Sequence, residues 1–469
     1  MRRSSARALA VVLASLLAGC AVGPDYQRPQ LAVPEGFYGE ERAAEARSSA
    51  AVVADVAWWE VFDDPTLSAL VEEAVRNGFQ ARLAAARVLE ARARFGIARS
   101  AFYPGVDYRG GVQRVRPDQT VNPSGAAETV WSAEAVFSWE LDVWGRIRRL
   151  NEAARAEYLA TEEARRGVLL SLASDVAMAY LELRELDQEL EIASRSTAAF
   201  QDTFDLFNRR LEGGAASALE TARAQASLSQ VAAQIPEIRR AIVARENQIS
   251  LLLGRNPAPI ARDARPMTLP PDVPAGLPSA LLERRPDIRE AEQLLISANA
   301  GIGVAKADFF PRLSLTGLLG NVSLELGDLF SEGHTWSLGA GLLGPIFQGG
   351  RVRRGYEAAR ARWEQARVRY EAVVANAFGE VSRALVDRTE LVETERQRTQ
   401  AVAAYQEAVR LAGIRYNAGR SAYFEVLESQ QQLFPAEISL AQTRRARLVA
   451  VVNLYRALGG GWSLAVRQE

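Results

Sequence analysis

The second half of the chain repeats the first at a nearly constant offset of 205 residues, and no other feature restricts the fold as much. Trp131-Ser132 recurs as Trp336-Ser337, and Gly145-Arg146-x-Arg148-Arg149 as Gly350-Arg351-x-Arg353-Arg354. Asp175-Val176 recurs as Glu380-Val381, while Arg210, Gly214, Glu220 and Gln225 return as Arg415, Gly419, Glu425 and Gln430. Upstream the offset slips by two, so that Phe102-Tyr103-Pro104 becomes Phe309-Phe310-Pro311. This period is far longer than the roughly 20–50 residues of a solenoid unit. It marks a duplicated substructure: what one half builds, the other builds again about a pseudo-symmetric axis.

Arg2 and Arg3 precede an apolar run from Ala8 to Leu17 that is too short to span a bilayer and has the layout of a secretory signal. It ends Leu17-Ala18-Gly19-Cys20, which resembles the bacterial lipoprotein signal, whose cysteine becomes the lipidated first residue. Cys20 is the single cysteine, so an internal disulfide is impossible. The resemblance implies palmitoyl and diacylglycerol groups on Cys20, and Ala21 in place of aspartate implies the outer membrane. No other cofactor and no metal is expected. A formal net charge of −1 gives no global basic surface for nucleic acid. Beyond the signal no apolar run approaches the length of a membrane helix, so any crossing has to be made by strands of a closed barrel.

Proline is absent between Pro123 and Pro236 and between Pro345 and Pro435, whereas eight prolines fall within 257–286. The proline-free stretches read as helix. Leu172, Val176, Ala179, Leu183, Leu186 and Leu190 alternate by four and three, and the register continues through Phe200, Phe204, Phe207 and Leu211. That is a heptad seam, the mark of coiled-coil packing. A helix from Arg146 to Asn208 would be about 95 Å long. A return helix follows with Leu228, Val231, Ile235, Ile238, Ile242, Ile249 and Leu252. Gly213-Gly214 and Asn417-Ala418-Gly419 suit the turns between outgoing and return helices. In the second long helix Arg388 and Glu395 interrupt the heptad.

Ahead of each long helix the period changes to two. Trp131, Ala133, Ala135, Phe137, Trp139 and Leu141 alternate with Ser132, Glu134, Ser138 and Glu140, Val136 being the exception. Val106, Tyr108 and Val112 oppose Asp107, Arg109 and Gln113; Leu313, Leu315, Trp336, Leu338, Ala340 and Leu342 oppose Ser314, Thr316, Ser337, Gly339 and Gly341. Apolar-out, polar-in alternation is what a membrane barrel strand requires, and a half-buried soluble sheet shows it too. Two strands per half give four per chain, too few to close a barrel, which argues for an oligomer.

Together these features resemble the outer-membrane efflux factors of the TolC and OprM type, most of all the NodT lipoprotein branch. The motifs that carry it are Gly19-Cys20-Ala21-Val22-Gly23-Pro24-Asp25-Tyr26-x-Arg28-Pro29 and Arg284-Arg285-Pro286-Asp287-Ile288-Arg289-x-Ala291-Glu292, with Phe309-Phe310-Pro311, Pro345-Ile346-Phe347-x-Gly349-Gly350-Arg351 and Arg415-Tyr416-x-x-Gly419. The resemblance implies an α+β membrane protein of TolC-like fold. Two repeats would each give two barrel strands and a long coiled-coil helical hairpin. A homotrimer would form one 12-stranded barrel in the outer membrane of a Gram-negative bacterium, continued as a helical tunnel in the periplasm. It also implies docking onto a periplasmic adaptor (membrane fusion) protein and an inner-membrane pump of the resistance–nodulation–division class, for which the chain is a passive, gated exit duct. The chain divides into a signal at 1–19, a lipid-anchored segment at 20–60, a first repeat at 61–254, a proline-rich linker at 255–286, a second repeat at 287–459 and a tail at 460–469.

An enzyme finds little support. His334, the only histidine, is placed in the loop between the last two strands, and Gly339-Ala340-Gly341-Leu342-Leu343-Gly344 fits a strand where a dinucleotide site needs a helix start. A structural or adhesive lipoprotein is the remaining alternative, separable by conductance. The gate of a tunnel is expected at the hairpin turns. Tyr423-Phe424-Glu425-Val426-Leu427-Glu428 resembles the family's constriction, with acids at Glu425 and Glu428 and a bulky group at Phe424, beside Tyr416. The first half offers Leu219, Glu220 and Arg223. The family's closed state is held partly by a link from the second turn to an acid that matches Glu220. Its basic partner aligns with Ser421, and Arg420 lies one position earlier.

Overall fold

The structure, a computed structural model, describes residues 21–460 apart from 32, 35, 39–57, 117–125, 264, 266–268, 271–277 and 332. Cys20 and the signal expected before it, and residues 461–469, therefore lie outside the described residues. In chain order the first repeat gives α1 (Pro65–Asn77), α2 (Phe79–Ser100), β1 (Gly105–Val115), β2 (Glu128–Leu141), α3 (Arg146–Glu212), α4 (Ala218–Ala232) and α5 (Gln234–Leu252). The second gives α6 (Pro278–Arg284), α7 (Pro286–Ala307), β3 (Arg312–Ser323), β4 (His334–Leu343), α8 (Arg351–Asn417) and α9 (Phe424–Ala457). Two compact units cut across the repeats. One holds Met1–Gln30, Val88–Glu162 and Glu290–Glu371; the other holds Leu31–Arg87, Glu163–Arg289 and Ala372–Glu469.

The first unit contains one antiparallel sheet in the order β1-β2-β3-β4. Its register aligns the apolar sets of all four strands, because residues paired across strands project to the same side. Tyr108 lies opposite Ala135, Ala135 opposite Leu319, and Leu319 opposite Trp336. On the other face Arg109 meets Glu134, Ser138 meets Thr316, and Thr316 meets Gly339. Val136 and Leu318 are apolar exceptions in the middle of that face, and Val115, Val130, Val322 and Leu343 lie on it nearer the strand ends. The apolar face is open: Tyr108 is 95% exposed and Leu338 81%. His334 is not in a loop as the sequence suggested. It opens β4 opposite Asn321, with its Nδ1 2.9 Å from the Asn321 Oδ1, because pairing with β3 extends the strand two residues before Trp336.

Helix ends repeat with the sequence. Gly214 and Gly419 take φ of 73° and 67°, the left-handed conformation that stops a helix. The closing bonds recur at the same offset, from the Ala215 N–H to the Arg210 carbonyl at 2.7 Å and from the Arg420 N–H to the Arg415 carbonyl at 2.9 Å. The return helices end alike, with the Arg255 N–H on the Ser250 carbonyl at 3.0 Å and the Gly460 N–H on the Tyr455 carbonyl at 2.9 Å. The first return helix differs from expectation: it breaks at Ala233 into α4 and α5. Pro236, which has no N–H, sits in the first turn of α5, where none is needed. Pro435 lies inside α9 without ending it.

The short helices ahead of the strands escaped the sequence pattern. Asp64 caps α1, accepting from the Leu67 N–H at 2.9 Å, with Pro65 at the first helical position. Arg285, 7% exposed at its side chain, bonds Asp287 and Glu380, each at 2.7 Å, and the Ala457 carbonyl at 2.8 Å. It thereby ties α7, α8 and the end of α9 together. In the second unit the expected seam of α3 is buried at Leu172, Val176, Ala179 and Leu183. Farther on Leu186 and Leu190 are only half-buried, and the neighbouring Glu185 and Glu189 take the interior instead. The Glu185 carboxylate lies 2.7 Å from Arg445 of α9, and Gln442 donates to Glu189 at 2.9 Å. Burial pushes the Glu185 carboxyl up to about 7, the nearby Arg445 opposing the rise and Glu189 adding to it.

No described helix is long and apolar enough to cross a membrane. The sheet is a different matter, and its two faces predict opposite responses to charge. Ala135→Arg, on the apolar face, is expected to cost about 2–4 kcal/mol if that face meets lipid near the bilayer midplane. Ser138→Arg, on the polar face, is expected to be tolerated. Refolding into vesicles followed by heat-modifiability on gels reads the difference, and equal tolerance at both positions would remove the lipid-facing assignment.

Candidate functional site

The two helix turns of the second unit come together around one aromatic cluster. The Tyr423 ring, 9% exposed, stands edge-on to Phe207 and Tyr416, with centroids at 4.7 and 4.8 Å. Phe200, Ala224, Leu228, Val426 and Leu427 complete the apolar surround. The Tyr423 hydroxyl lies 2.6 Å from the Thr203 Oγ1, which is itself 2.9 Å from the Ala199 carbonyl. The threonine has one proton and uses it on that carbonyl, so Tyr423 is the donor of the pair. Burial pushes the Tyr423 hydroxyl above its ordinary pKa, and it remains a donor at neutral pH.

Around this cluster run three links between the first hairpin and the second. The Arg210 guanidinium lies over the Tyr416 ring, 4.9 Å from its centroid, and also donates to the Tyr416 hydroxyl. Arg223 lies 5.8 Å from the Phe424 ring centroid. Gln431 donates to the Ser227 hydroxyl at 2.7 Å. Of the residues expected at the gate, Arg223 thus meets Phe424, while Tyr416 meets Arg210. Leu219 is exposed at the start of α4, and Glu428 points to solvent from α9.

Glu220 is held within its own turn. Its Oε2 accepts from the Ser217 N–H at 2.8 Å and the Ser217 hydroxyl at 3.0 Å, while the Ser217 Oγ accepts from the Glu220 N–H. This reciprocal capping box satisfies two free donors at the start of α4. The backbone bond from Ser217, then its hydroxyl and the charge of Arg210, hold the Glu220 carboxyl below the usual range. The Arg420–Glu220 link expected from the sequence is not formed among the described residues: the cap engages Glu220, and the exposed Arg420 follows the left-handed Gly419. Ser421 has an enclosed hydroxyl without a hydrogen-bond partner.

The second turn has Ala422 where the first has Ser217, and so cannot form the same box. Glu425, the counterpart of Glu220, instead lies 3.8 Å from Arg415, the counterpart of Arg210. Both groups are exposed, so this pair is worth at most about 1 kcal/mol. No local sequence pattern marks Arg210 or Thr203 as site residues, and Tyr423 stands in the constriction-like segment with no role of its own assigned. Only the recurrence of Arg210 with Glu220 as Arg415 with Glu425 signalled a paired role. Among the described residues no group of three or more His, Cys, Asp or Glu side chains is set to hold a metal.

Residues 70–255 and 277–460 match the family described as outer membrane efflux protein, and the chain belongs to that family. The probable efflux pump outer membrane protein TtgC of Pseudomonas putida is 34% identical over 460 residues, covering 96% of this chain and 94% of that one. A membrane protein of Pseudomonas aeruginosa, solved as a crystal, superposes with a TM-score of 0.87 at 32% identity, over 95% of this chain and all of the other. The MtrE outer membrane channel of Neisseria gonorrhoeae, solved in its open state, gives 0.80 at 29% identity, over 94% of this chain and 98% of that one. The fold is therefore that of the TolC-like outer-membrane channels.

The cap predicts an acid response with a definite sign. A carboxyl whose folded pKa is lowered contributes stability that is present above its unfolded value, about 4.3, and is lost as pH falls through the lower folded value. Hydrogen exchange of the amides of 217–221 is expected to quicken on acidification below that range in the wild type and to show no such step in Glu220→Gln. Ser217→Ala should cost about 1 kcal/mol at neutral pH. An acid step that survives in Glu220→Gln would assign the effect to another group.

Proposed function

We propose that the chain is the outer-membrane channel of a tripartite efflux system, a passive exit duct for small molecules delivered by a partner pump. The observation that carries this reading is the sheet, which has an apolar face of four strands in register and two unpaired edges. Neither edge can face lipid, because unpaired backbone groups there cost several kcal/mol each. Three copies joined edge to edge would close one 12-stranded barrel with the apolar face outward. The TtgC relative is described as an efflux pump outer membrane protein, which supports a periplasmic adaptor and an inner-membrane pump of the resistance–nodulation–division class as partners.

The aromatic cluster and its arginines are the gate in this reading. Arg210, Arg223, Tyr416 and Phe424 hold the two hairpin turns together, and outward movement of the second turn has to break those links. Glu425 and Glu428, one copy from each protomer, would give the aperture a cation preference. In single-channel recordings Arg210→Ala and Tyr416→Leu are expected to raise resting conductance, and Glu425→Gln with Glu428→Gln to weaken cation selectivity. A wild-type protein that inserts and never conducts would favour a structural lipoprotein instead.

Lipid attachment at Cys20 is part of the same proposal. The start of the described chain supports it: the Val22 N–H donates to the Trp144 carbonyl at 3.0 Å, and Ala21 sits so close to Gly145 that a Cβ added there would lie 2.6 Å from it. The described chain therefore begins, at Ala21, beside the joint between β2 and α3, and an acyl chain on the preceding residue would enter the bilayer beside the barrel. Labelled palmitate is expected on the wild type and absent from Cys20→Ser; label that persists in the variant would place the lipid elsewhere.

A further inference from the structure

The arginine triplet that opens α3 recurs at the start of α8, yet the two copies are neutralised differently. In the first, Arg146 bonds Glu140 twice, at 2.8 and 2.7 Å, and Arg148 meets Asp142 at 3.2 Å. Arg149, 6% exposed at its side chain, pairs with Asp25 at 2.7 Å and Glu152 at 2.8 Å. At the offset of 205, Glu140 is replaced by Pro345 and Asp142 by Phe347; only Glu152 keeps a counterpart, Glu357. Arg353 and Arg354 share that one carboxylate at 3.1 and 2.7 Å with side chains 79% and 81% exposed, and Arg351 has only the Gln348 amide oxygen, at 2.9 Å. Beside them Ile346 and Phe347 are fully open to solvent.

Three cations against one carboxylate, next to two bare apolar side chains just past the end of β4, form an amphipathic surface. Arg351 also lines a groove of about 360 Å³ together with Leu150, Val304, Val352, Arg362 and Asp308. We propose that this corner binds the headgroup of an anionic membrane phospholipid, with the phosphate on Arg351, Arg353 and Arg354 and an acyl chain along Ile346 and Phe347. Guanidinium groups suit phosphate through paired, charge-assisted bonds, and basic residues near a bilayer surface draw anionic lipid. The inference rests on the reading that the strands span a membrane, which puts the end of β4 at a water–lipid boundary. A second copy of the chain is the less suitable occupant. The opposite edge of the sheet is β1, and between Val88 and Ser100 the helix leading into it carries three arginines, Arg92, Arg94 and Arg99, against one acid, Glu90, which is already paired with Arg94 at 2.5 Å, so that a neighbouring copy would bring further positive charge to this corner.

Native mass spectrometry of the intact oligomer, taken from nanodiscs of mixed phosphatidylglycerol and phosphatidylcholine, tests the proposal. The wild type is expected to retain phosphatidylglycerol preferentially, and Arg353→Gln with Arg354→Gln to retain at least about fivefold less. The control Arg360→Gln with Arg369→Gln removes the same charge farther along α8 and should retain as much as the wild type. No preference in the wild type, or equal loss in both variants, overturns the site. So does a test variant that no longer oligomerises, which would make these arginines a contact between copies. Conductance of the same preparations keeps the two readings apart. A conducting wild type without lipid preference sinks only the lipid site, and a non-conducting one that retains phosphatidylglycerol sinks only the channel.

Discussion

Along one side each, the edge strands β1 and β4 leave a row of backbone N–H and C=O groups unpaired among the described residues. In water such an edge is a tolerable liability, but beside an apolar face it cannot be hidden in lipid. The exposed Tyr108, Leu319, Trp336 and Leu338 say that this face is meant for an apolar surround. Both demands are met together only when further strands continue the sheet until it closes. The closed barrel proposed for this chain answers that one shortage of hydrogen-bond partners.

Duplication supplies the same backbone twice and different chemistry on it. The glycines that stop the helices, Gly214 and Gly419, are interchangeable in conformation, and so are the bonds around them. The side chains nearby are not. One serine at position 217 lets Glu220 cap its own helix, and Ala422 in the second turn leaves Glu425 to face Arg415 across 3.8 Å. The same divergence separates the two arginine triplets, one neutralised by Glu140, Asp142 and Asp25, the other left beside Ile346 and Phe347. Divergence of a few side chains thus gives the two halves different electrostatic roles on a shared frame.

Much of this was legible in the residues. The period of two in Trp131 to Leu141 and the heptads from Leu172 to Leu183 fix which faces are apolar, since side-chain direction follows directly from strand and helix geometry. Less was visible at the hairpin turns. Tyr416 and Phe424 lie in motifs and Arg223 follows from the repeat offset, whereas Arg210 over the Tyr416 ring and Tyr423 on Thr203 join residues more than 200 positions apart. Glu185 and Glu189 show the limit in the core: a heptad count passes them to solvent, and Arg445 and Gln442 of α9 make their burial tolerable.

The sequence by itself determined the duplication, the strand faces, the helix stops and the class of protein, because each depends on local periodicity or on residues near one another in the chain. The tertiary structure decided the rest. Register between strands placed all four apolar sets on one side, and only pairing can do so, since a slip of one residue would invert a strand. It also decided that Glu220 bonds Ser217 and not Arg420, because a cap three residues away in the same turn costs little chain entropy to form. Which charges are matched and which are left open is a property of distances between side chains, and no spacing along the chain carries it.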